Sequence, residues 1–452
     1  MSKEKKNGTT SRREFVVQAS LVSGSLLLSP FLSGANYFSG SDDVIKIALI
    51  GCGGRGTGAA VQALLSKQNV KLVAMADAFK DRIDSSYHLL TSELSEWSGG
   101  TSGDEKLDLK KMIDVPEERR FTGFDAYLKA IPLADVVILT TPPGFRPLHF
   151  EEAVKQGKHV FMEKPVAVDP AGVQKVLAAA KLAKEKKLNV MVGLQRRYQN
   201  SYLELYKRKE MIGDIISAQA WWNGDGGQLQ RKPAGQTEME YQMRNWYFFI
   251  WTCGDPIVEQ HLHNIDVINW FKGAYPVKAQ GMGGRELRRG IKAGEIFDHH
   301  YVEFEYADGS ILNSQSRQMP KAMFRVGEGM AGTKGRIDAG KGQIINHAGK
   351  LLYQFDFKKE NNPYQTEHEK LFAAVARNDH KFSDAEGGAL STMTAIMGRM
   401  ATYSGQLIDW HKAINSGLNL QPAIYAWDAA PPVLPNADGF YTGATPGITS
   451  YS

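Results

Sequence analysis

Cysteine is almost missing from this chain: two residues in 452, Cys52 and Cys253. That excludes a disulfide scaffold and a four-cysteine zinc module. Long apolar runs are missing too. No stretch of about 18 uninterrupted apolar residues lies beyond the first 40 positions, which excludes a polytopic membrane protein. Nor is one charge in excess. The formal net charge is +5, but residues 1–35 hold five cations (Lys3, Lys5, Lys6, Arg12, Arg13) against two anions (Glu4, Glu14), so the rest carries only +2. A nearly neutral body lacks the electrostatic footprint that nucleic acid requires. What remains is ordinary globular composition, 42% hydrophobic and 23% charged, with length for two or three domains.

The chain opens on an address. A polar, basic stretch ends in Ser11-Arg12-Arg13-Glu14-Phe15-Val16-Val17, a modest apolar region follows at 21–32, and then Ser33-Gly34-Ala35. This order resembles a twin-arginine (Tat) signal, which directs proteins that fold before export. Residues 1–35 are therefore expected to send the folded protein to the periplasm and to be removed near Ala35, leaving no integral membrane span. Export after folding suits a tightly held cofactor inserted beforehand.

From Val44 the pattern alternates strand, turn and helix. Segments 44–50, 72–76, 136–139, 160–162 and 190–192 are short and almost wholly apolar, as strands buried on both faces of a parallel sheet are. Helix-like stretches lie at 58–65, 150–156 and 171–186. This predicts an α/β, doubly wound Rossmann domain over residues 42–192. Residues 91–120, polar and rich in glycine and serine, suggest a long surface insertion. After Gln195 the texture changes: 216–222 alternates, and 301–306, Asp308-Gly309 and 311–316 give a hairpin signal. More strand-and-turn segments run over 323–355, with helices near 259–272 and 366–378. A C-terminal α+β domain with a mostly antiparallel open sheet is expected over 193–428, for substrate binding and oligomerisation. An extended tail, 429–452, wraps the surface. The cleft between domains is the default site.

Gly51-Cys52-Gly53-Gly54-Arg55-Gly56 fits G-x-G-x-x-G, follows an apolar strand and opens a helical stretch. Its glycines permit a tight turn and let backbone N–H groups approach a pyrophosphate at a helix N-terminus. Asp77 ends the second strand, 21 residues after Gly56. There its carboxylate would accept hydrogen bonds from the adenosine ribose and repel a 2′-phosphate. NAD is therefore expected rather than NADP. Cys253 is most simply a buried free thiol.

At Gly157-Lys158-His159-Val160-Phe161-Met162-Glu163-Lys164-Pro165 the chain resembles the Gfo/Idh/MocA oxidoreductases. The glycine loop, the Thr140-Thr141-Pro142-Pro143 turn after a strand, and a later helix carrying histidine extend the resemblance over nearly the whole mature chain. It implies that Lys164 reaches a substrate hydroxyl beside the nicotinamide, and that hydride passes between a sugar or polyol carbon and NAD. Thr141, Pro142, Glu163 and Gln195 would join the glycine loop, with Arg55, around the cofactor. Arg146 falls where many relatives carry a cofactor-side histidine, so His149 does not inherit that role. The residue chemistry agrees for Lys164: at the end of a buried strand its charge is disfavoured, and it can polarise an alcohol or take its proton.

The segment Gly254-Asp255-Pro256-Ile257-Val258-Glu259-Gln260-His261-Leu262-His263-Asn264-Ile265-Asp266 resembles the family helix that carries an acid, a histidine four residues on and an aspartate three further. On one helix Glu259, His263 and Asp266 share a face. His263 would act as acid/base, Glu259 would orient it, and Asp266 would meet substrate. Glu259 stands for the usual aspartate and His261 for a small residue. A metal site from His261, His263, Glu259 and Asp298-His299-His300 would need an irregular segment, because helix spacing is wrong for a His-x-His chelate. No metal is expected.

Gln195, Arg196, Arg197, Tyr198, Trp221, Trp222, Asn223, Arg244, Asn245 and Trp246 are candidates to line the cleft, since indole faces stack on sugar rings while Arg and Asn bond hydroxyls. Arg197, Trp222, Arg244, Asn245, Trp246, His261 and Asp266 are the expected substrate contacts. The expected activity is oxidation of a sugar or glycoside hydroxyl, giving a keto-glycoside oxidised at carbon 3, by a dimer or tetramer that keeps its NAD. The alternative is an NAD-dependent glycosidase working by transient oxidation, elimination and hydride return. A third reading is a sugar-binding protein that retains its nucleotide without turnover.

Overall fold

The computed structural model describes residues 44–93, 109–290 and 293–450. The expected export signal and the middle of the 91–120 insertion lie outside them. Six parallel strands form the first sheet: β1 (Ile45–Ile50), β2 (Val70–Asp77), β3 (Arg120–Thr122), β4 (Val136–Leu139), β5 (His159–Met162) and β6 (Val190–Val192), in the order β3-β2-β1-β4-β5-β6. This is the doubly wound order, with its switch point between β1 and β4.

Period-2 alternation with both faces covered explains why the middle residues of the central strands are apolar. Ile47 and Leu49 point to one layer with Leu72, Met75, Ile138 and Phe161, covered by Ala59, Ala60 and Ala63 of the helix Gly54–Leu64. Ala48 and Ile50 point to the other, with Val73, Val137 and Val160 beneath Phe150 and Val154 of Arg146–Lys155 and Val173 and Val176 of Pro170–Glu185. The insertion is not wholly a surface feature. Leu109 and Val115 are buried, and β3 is a third strand that the sequence reading did not anticipate.

The second sheet has nine strands. They are β7 (Ile215–Gly224), β8 (Lys278–Gly284), β9 (His299–Glu305), β10 (Ile311–Gln318), β11 (Arg325–Gly332), β12 (Gly335–Asp338), β13 (Gln343–Asn346), β14 (Leu351–Gln354) and β15 (Ile408–Asp409). Their order is β14-β13-β12-β11-β7-β10-β9-β8-β15, antiparallel throughout except where β7 meets β10.

One face of this sheet is covered by helices, among them Ala385–Ser404, which the sequence reading missed. That helix is buried along most of its length and joins the cores: Met393 and Met397 pack in one cluster with Val192 of β6, Ile257, and Phe304 of β9. A third cluster gathers the aromatic segment after β7 (Met239, Tyr241, Phe249, Trp251) with Phe145, with Tyr425 and Trp427 of the C-terminal segment from Leu418 on, and with Tyr441 of the tail. No helix among the described residues is long and apolar enough to cross a membrane.

Candidate active site

The glycine loop closes β1 onto its helix. Gly51 sits at φ +98°, and a Cβ there would meet Thr141 N at 2.5 Å. At Gly56 a Cβ would lie 1.9 Å from Gly51 O, so only glycine lets helix and loop approach this closely. Gly53 and Gly54 differ: a Cβ at either meets no protein atom within 4 Å, so the space above them belongs to the cleft. The helix that starts here has no side-chain cap and no acid in its first turn. Its leading N–H groups are left for an anion.

At the end of β2, Asp77 accepts from Cys52 N (2.7 Å) and Phe79 N (2.9 Å), which aims the carboxylate at the cleft's edge. Burial raises its pKa, opposed by those two N–H groups. After β4, Thr140 Oγ1 donates to Gly51 O at 2.7 Å, tying the Thr140-Thr141-Pro142 turn under the loop. The cleft these segments enclose has a volume of about 610 Å³ and continues to the second domain. That is the size of a cofactor site, and loop, helix terminus and ribose-facing carboxylate fit NAD.

The reactive end is built where β5 stops. Lys164, followed by a cis bond to Pro165, is only 9% exposed. Its Nζ donates to Glu259 O at 2.5 Å and lies 3.3 Å from Glu259 Oε1. Glu163 pairs instead with Arg55 of the glycine loop. Arg146 donates to Pro165 O, and burial brings its guanidinium down to about 10. Burial raises the Glu259 carboxyl, against the pull of Lys164 and Arg146, and Glu259 Oε2 makes no hydrogen bond. His263 is held well below the ordinary imidazole range by burial and then by the charges of Lys164 and Arg196. Its ring is therefore neutral at pH 7, with Nδ1 unbonded, and stacks on Trp222 at 6.0 Å between centroids.

Lys164, Glu259 and His263 line one cleft with Gly51, Gly53, Gly54, Arg55, Gly56, Asp77, Thr141, Pro142, Arg146, Glu163, Arg244 and Trp246. Their secondary structure differs from expectation. The helix breaks after Pro256–Glu259 and resumes at Leu262–Lys272, with Gln260 and His261 between. His261 N reaches back to Pro256 O, one residue beyond the usual helical partner. Glu259, His263 and Asp266 are thus not on one helical face, and Glu259 holds Lys164 rather than the imidazole.

Six of the expected residues lie elsewhere. Arg197 forms a two-bond ion pair with Asp266 (2.9 and 2.8 Å), which also accepts from Ser391, so the two satisfy each other away from the cleft. His261 is fully buried against Ser314 Oγ at 2.7 Å, and burial pushes it to about 3. Asn245 spends its amide on Gln230 N and Tyr241 O. Gln195 does not line the cleft, and its Oε1 is buried without a hydrogen bond. Trp221 faces away from Trp222 and carries the Arg325 guanidinium 3.3 Å above its ring.

His299 pairs with Asp298 and His300 with Asp255, so the suggested metal ligands do not converge. Among the described residues no group of three or more His, Cys, Asp or Glu could hold an ion. The structure adds Tyr247 and Gln260 to the cleft wall. Tyr247 accepts from Gln318 Nε2 at 2.5 Å and stands beside Trp246, the one local signal for it.

Fold and cleft together define a Rossmann domain with a dinucleotide-shaped loop, joined to a second, mostly antiparallel sheet. Residues 45–194 match the oxidoreductase family with NAD-binding Rossmann fold, Gfo/Idh/MocA. It is 28% identical over 166 residues to an inositol 2-dehydrogenase of Gluconacetobacter diazotrophicus, covering 36% of this chain and 43% of that protein. The chain thus spans less than half the length of that relative. A second inositol 2-dehydrogenase, from Rhizobium meliloti, is 22% identical over 74% of this chain and 89% of its own. The scyllo-inositol dehydrogenase of Lactobacillus casei, solved with NAD(H) and scyllo-inositol, superposes with a TM-score of 0.59 at 19% identity, over 82% of this chain and 100% of its own. At that identity the likeness is one of fold.

Proposed function

We propose that this protein is an NAD-dependent dehydrogenase that oxidises a ring hydroxyl of a sugar, glycoside or cyclic polyol. One observation carries the reading. A buried lysine ammonium, anchored by Glu259, shares a cleft with an imidazole that burial keeps neutral, beside a loop shaped for a dinucleotide. NAD, held by the 51–56 loop, Asp77 and Thr141, supplies the hydride acceptor. The chain supplies the rest. Lys164 donates to the substrate oxygen and stabilises it as its proton leaves; neutral His263 accepts that proton; Glu259 fixes the ammonium. Trp246 offers a face for a ring, while Trp222 backs the His263 imidazole and Arg244 is held by Asp81 and Glu240 over Phe79. Relatives named for inositol support a hydroxyl-rich ring as substrate.

The test is a panel of inositols, free sugars and aryl glycosides, with and without an external electron acceptor. Acceptor-dependent formation of a keto-sugar is expected, with carbon 3 of a glycoside the first position to examine by NMR. Aglycone release without any acceptor would replace this reading by hydrolysis through transient oxidation.

We also propose export. The Arg12-Arg13 motif supports a periplasmic protein delivered folded with its cofactor; replacing both arginines by lysine should strand it in the cytoplasm. An assembly of two or four copies is proposed through the helix-free face of the second sheet, where Met282 and Ile311 are exposed. Light scattering checks it.

A further inference from the structure

The 610 Å³ cleft is walled on its adenosine side by Phe79 and Phe124, which follow β2 and β3. Phe79 is two residues past the ribose-facing Asp77. Both rings sit on loops beyond strand ends, where a sheet gives its least support. Arg244 lies 4.0 Å over Phe79 and Phe145 lies 6.3 Å from Phe124, and the closest rings behind the pair come from the far end of the sequence. Trp427 lies 5.1 Å from Phe79 and 4.4 Å from Phe124, centroid to centroid, and Tyr425 lies 5.9 Å from Phe124. The C-terminal segment that carries these rings, which runs on into the tail, is tied to both domains. Leu420 N donates to Asp169 Oδ2 at 2.8 Å in the first, and Gln421 Nε2 donates to Trp251 O at 3.0 Å in the second.

We propose that Tyr425 and Trp427 are positioning residues of the cofactor site: they brace the Phe79–Phe124 wall and so retain the dinucleotide. A bound dinucleotide can leave only by displacing a wall or by sliding out along the cleft, and on this side displacement breaks two aromatic contacts at once. Because the tail bridges the domains, it also resists their separation. The proposal rests on the NAD site and is independent of which substrate is oxidised. It accounts for how a protein destined to leave its cofactor pool behind could keep its cofactor.

The experiment uses full-length protein and NAD alone. Nucleotide release is followed by fluorescence after dilution, and melting temperature is recorded with and without NAD, for wild type, Trp427→Ala, Trp427→Phe and, as a control, Ile448→Ala on an exposed part of the same tail. Losing ring contacts of this kind should speed release by about tenfold in Trp427→Ala. The NAD-induced rise in melting temperature should shrink, Trp427→Phe should restore most of both, and Ile448→Ala should match wild type. Release from Trp427→Ala at the wild-type rate overturns the proposal. So does an equal fall in melting temperature with and without NAD, since that marks a tail that only stabilises the fold.

Discussion

At the scale of single residues, the site places its chemistry on a few side chains whose environments oppose one another. Lys164 is buried but anchored by Glu259, and His263 is buried without a partner for Nδ1. Lys164→Met keeps the stem and removes the ammonium. It should lower kcat by about 10²–10⁴-fold, the range of a lost acid or base group, while NAD still binds by fluorescence titration. Activity near wild type would remove Lys164 from the mechanism. Asp77→Asn tests the other end: with the charge gone, NADP should gain on NAD by about tenfold in relative affinity, the size of one charged hydrogen bond. The two dissociation constants measure it.

The placement of these residues in one cleft was legible because its causes are local: a glycine spacing, a strand end, a tripeptide after a strand. That of Arg197 and Asp266 was not. Each was assigned to substrate from its own surroundings, whereas each has the other as its partner, 69 positions away. Nothing short of the fold could have paired them.

At the scale of elements, the Rossmann strands were readable because burial on both faces leaves an unbroken apolar run. The helix Ala385–Ser404 was missed for the opposite reason. It holds Gly387, Gly388 and Gly398 among serines and threonines, which ordinarily mark turns. Packing explains them: a Cβ at Gly398 would lie 2.7 Å from Phe304 Cζ and 3.0 Å from Ile257 Cδ1, and one at Gly388 within 3.1 Å of Val192. Small residues let the helix sit close to the core while its hydroxyls are spent on Asp266, Asn269 and His300.

Gly398→Ala should therefore destabilise the protein by about 1–3 kcal/mol, the usual cost of overpacking, seen as a lower melting temperature. Gly387→Ala meets only Tyr275 Oη, at 3.9 Å, and should be neutral or stabilising by up to about 1 kcal/mol. Equal effects at the two positions would mean that close approach is not why the glycines are there. The break at Gln260–His261 has the same character. The sequence pattern runs through it smoothly, and only the need to bury His261 against Ser314 while His263 faces the cleft shows why the helix is interrupted.

At the scale of the whole molecule, the buried titratable groups set its behaviour in acid. Burial pushes His149 and His261 to about 3 and raises Glu295 to about 7. For each histidine the folded pKa lies below the unfolded value of 6.5. Its contribution to stability is therefore intact above pH 6.5 and is lost progressively as pH falls toward 3. Glu295 works the other way: its folded form takes up a proton first, so between about pH 7 and 4.5 it offsets one histidine. The contribution of His149 and His261 is therefore lost on acidification, and Glu295 opposes it only above about pH 4.5. Chemical denaturation at pH 8, 5.5 and 4 measures the slope for wild type and variants. The specific check is His261→Asn, which can keep a bond to Ser314 but cannot titrate. Its stability should fall less steeply between pH 6 and 4, by about 1.4 kcal/mol per pH unit relative to wild type. An unchanged slope would mean that His261 is already protonated in the fold, and the same burial argument that keeps His263 neutral as proton acceptor would lose its footing.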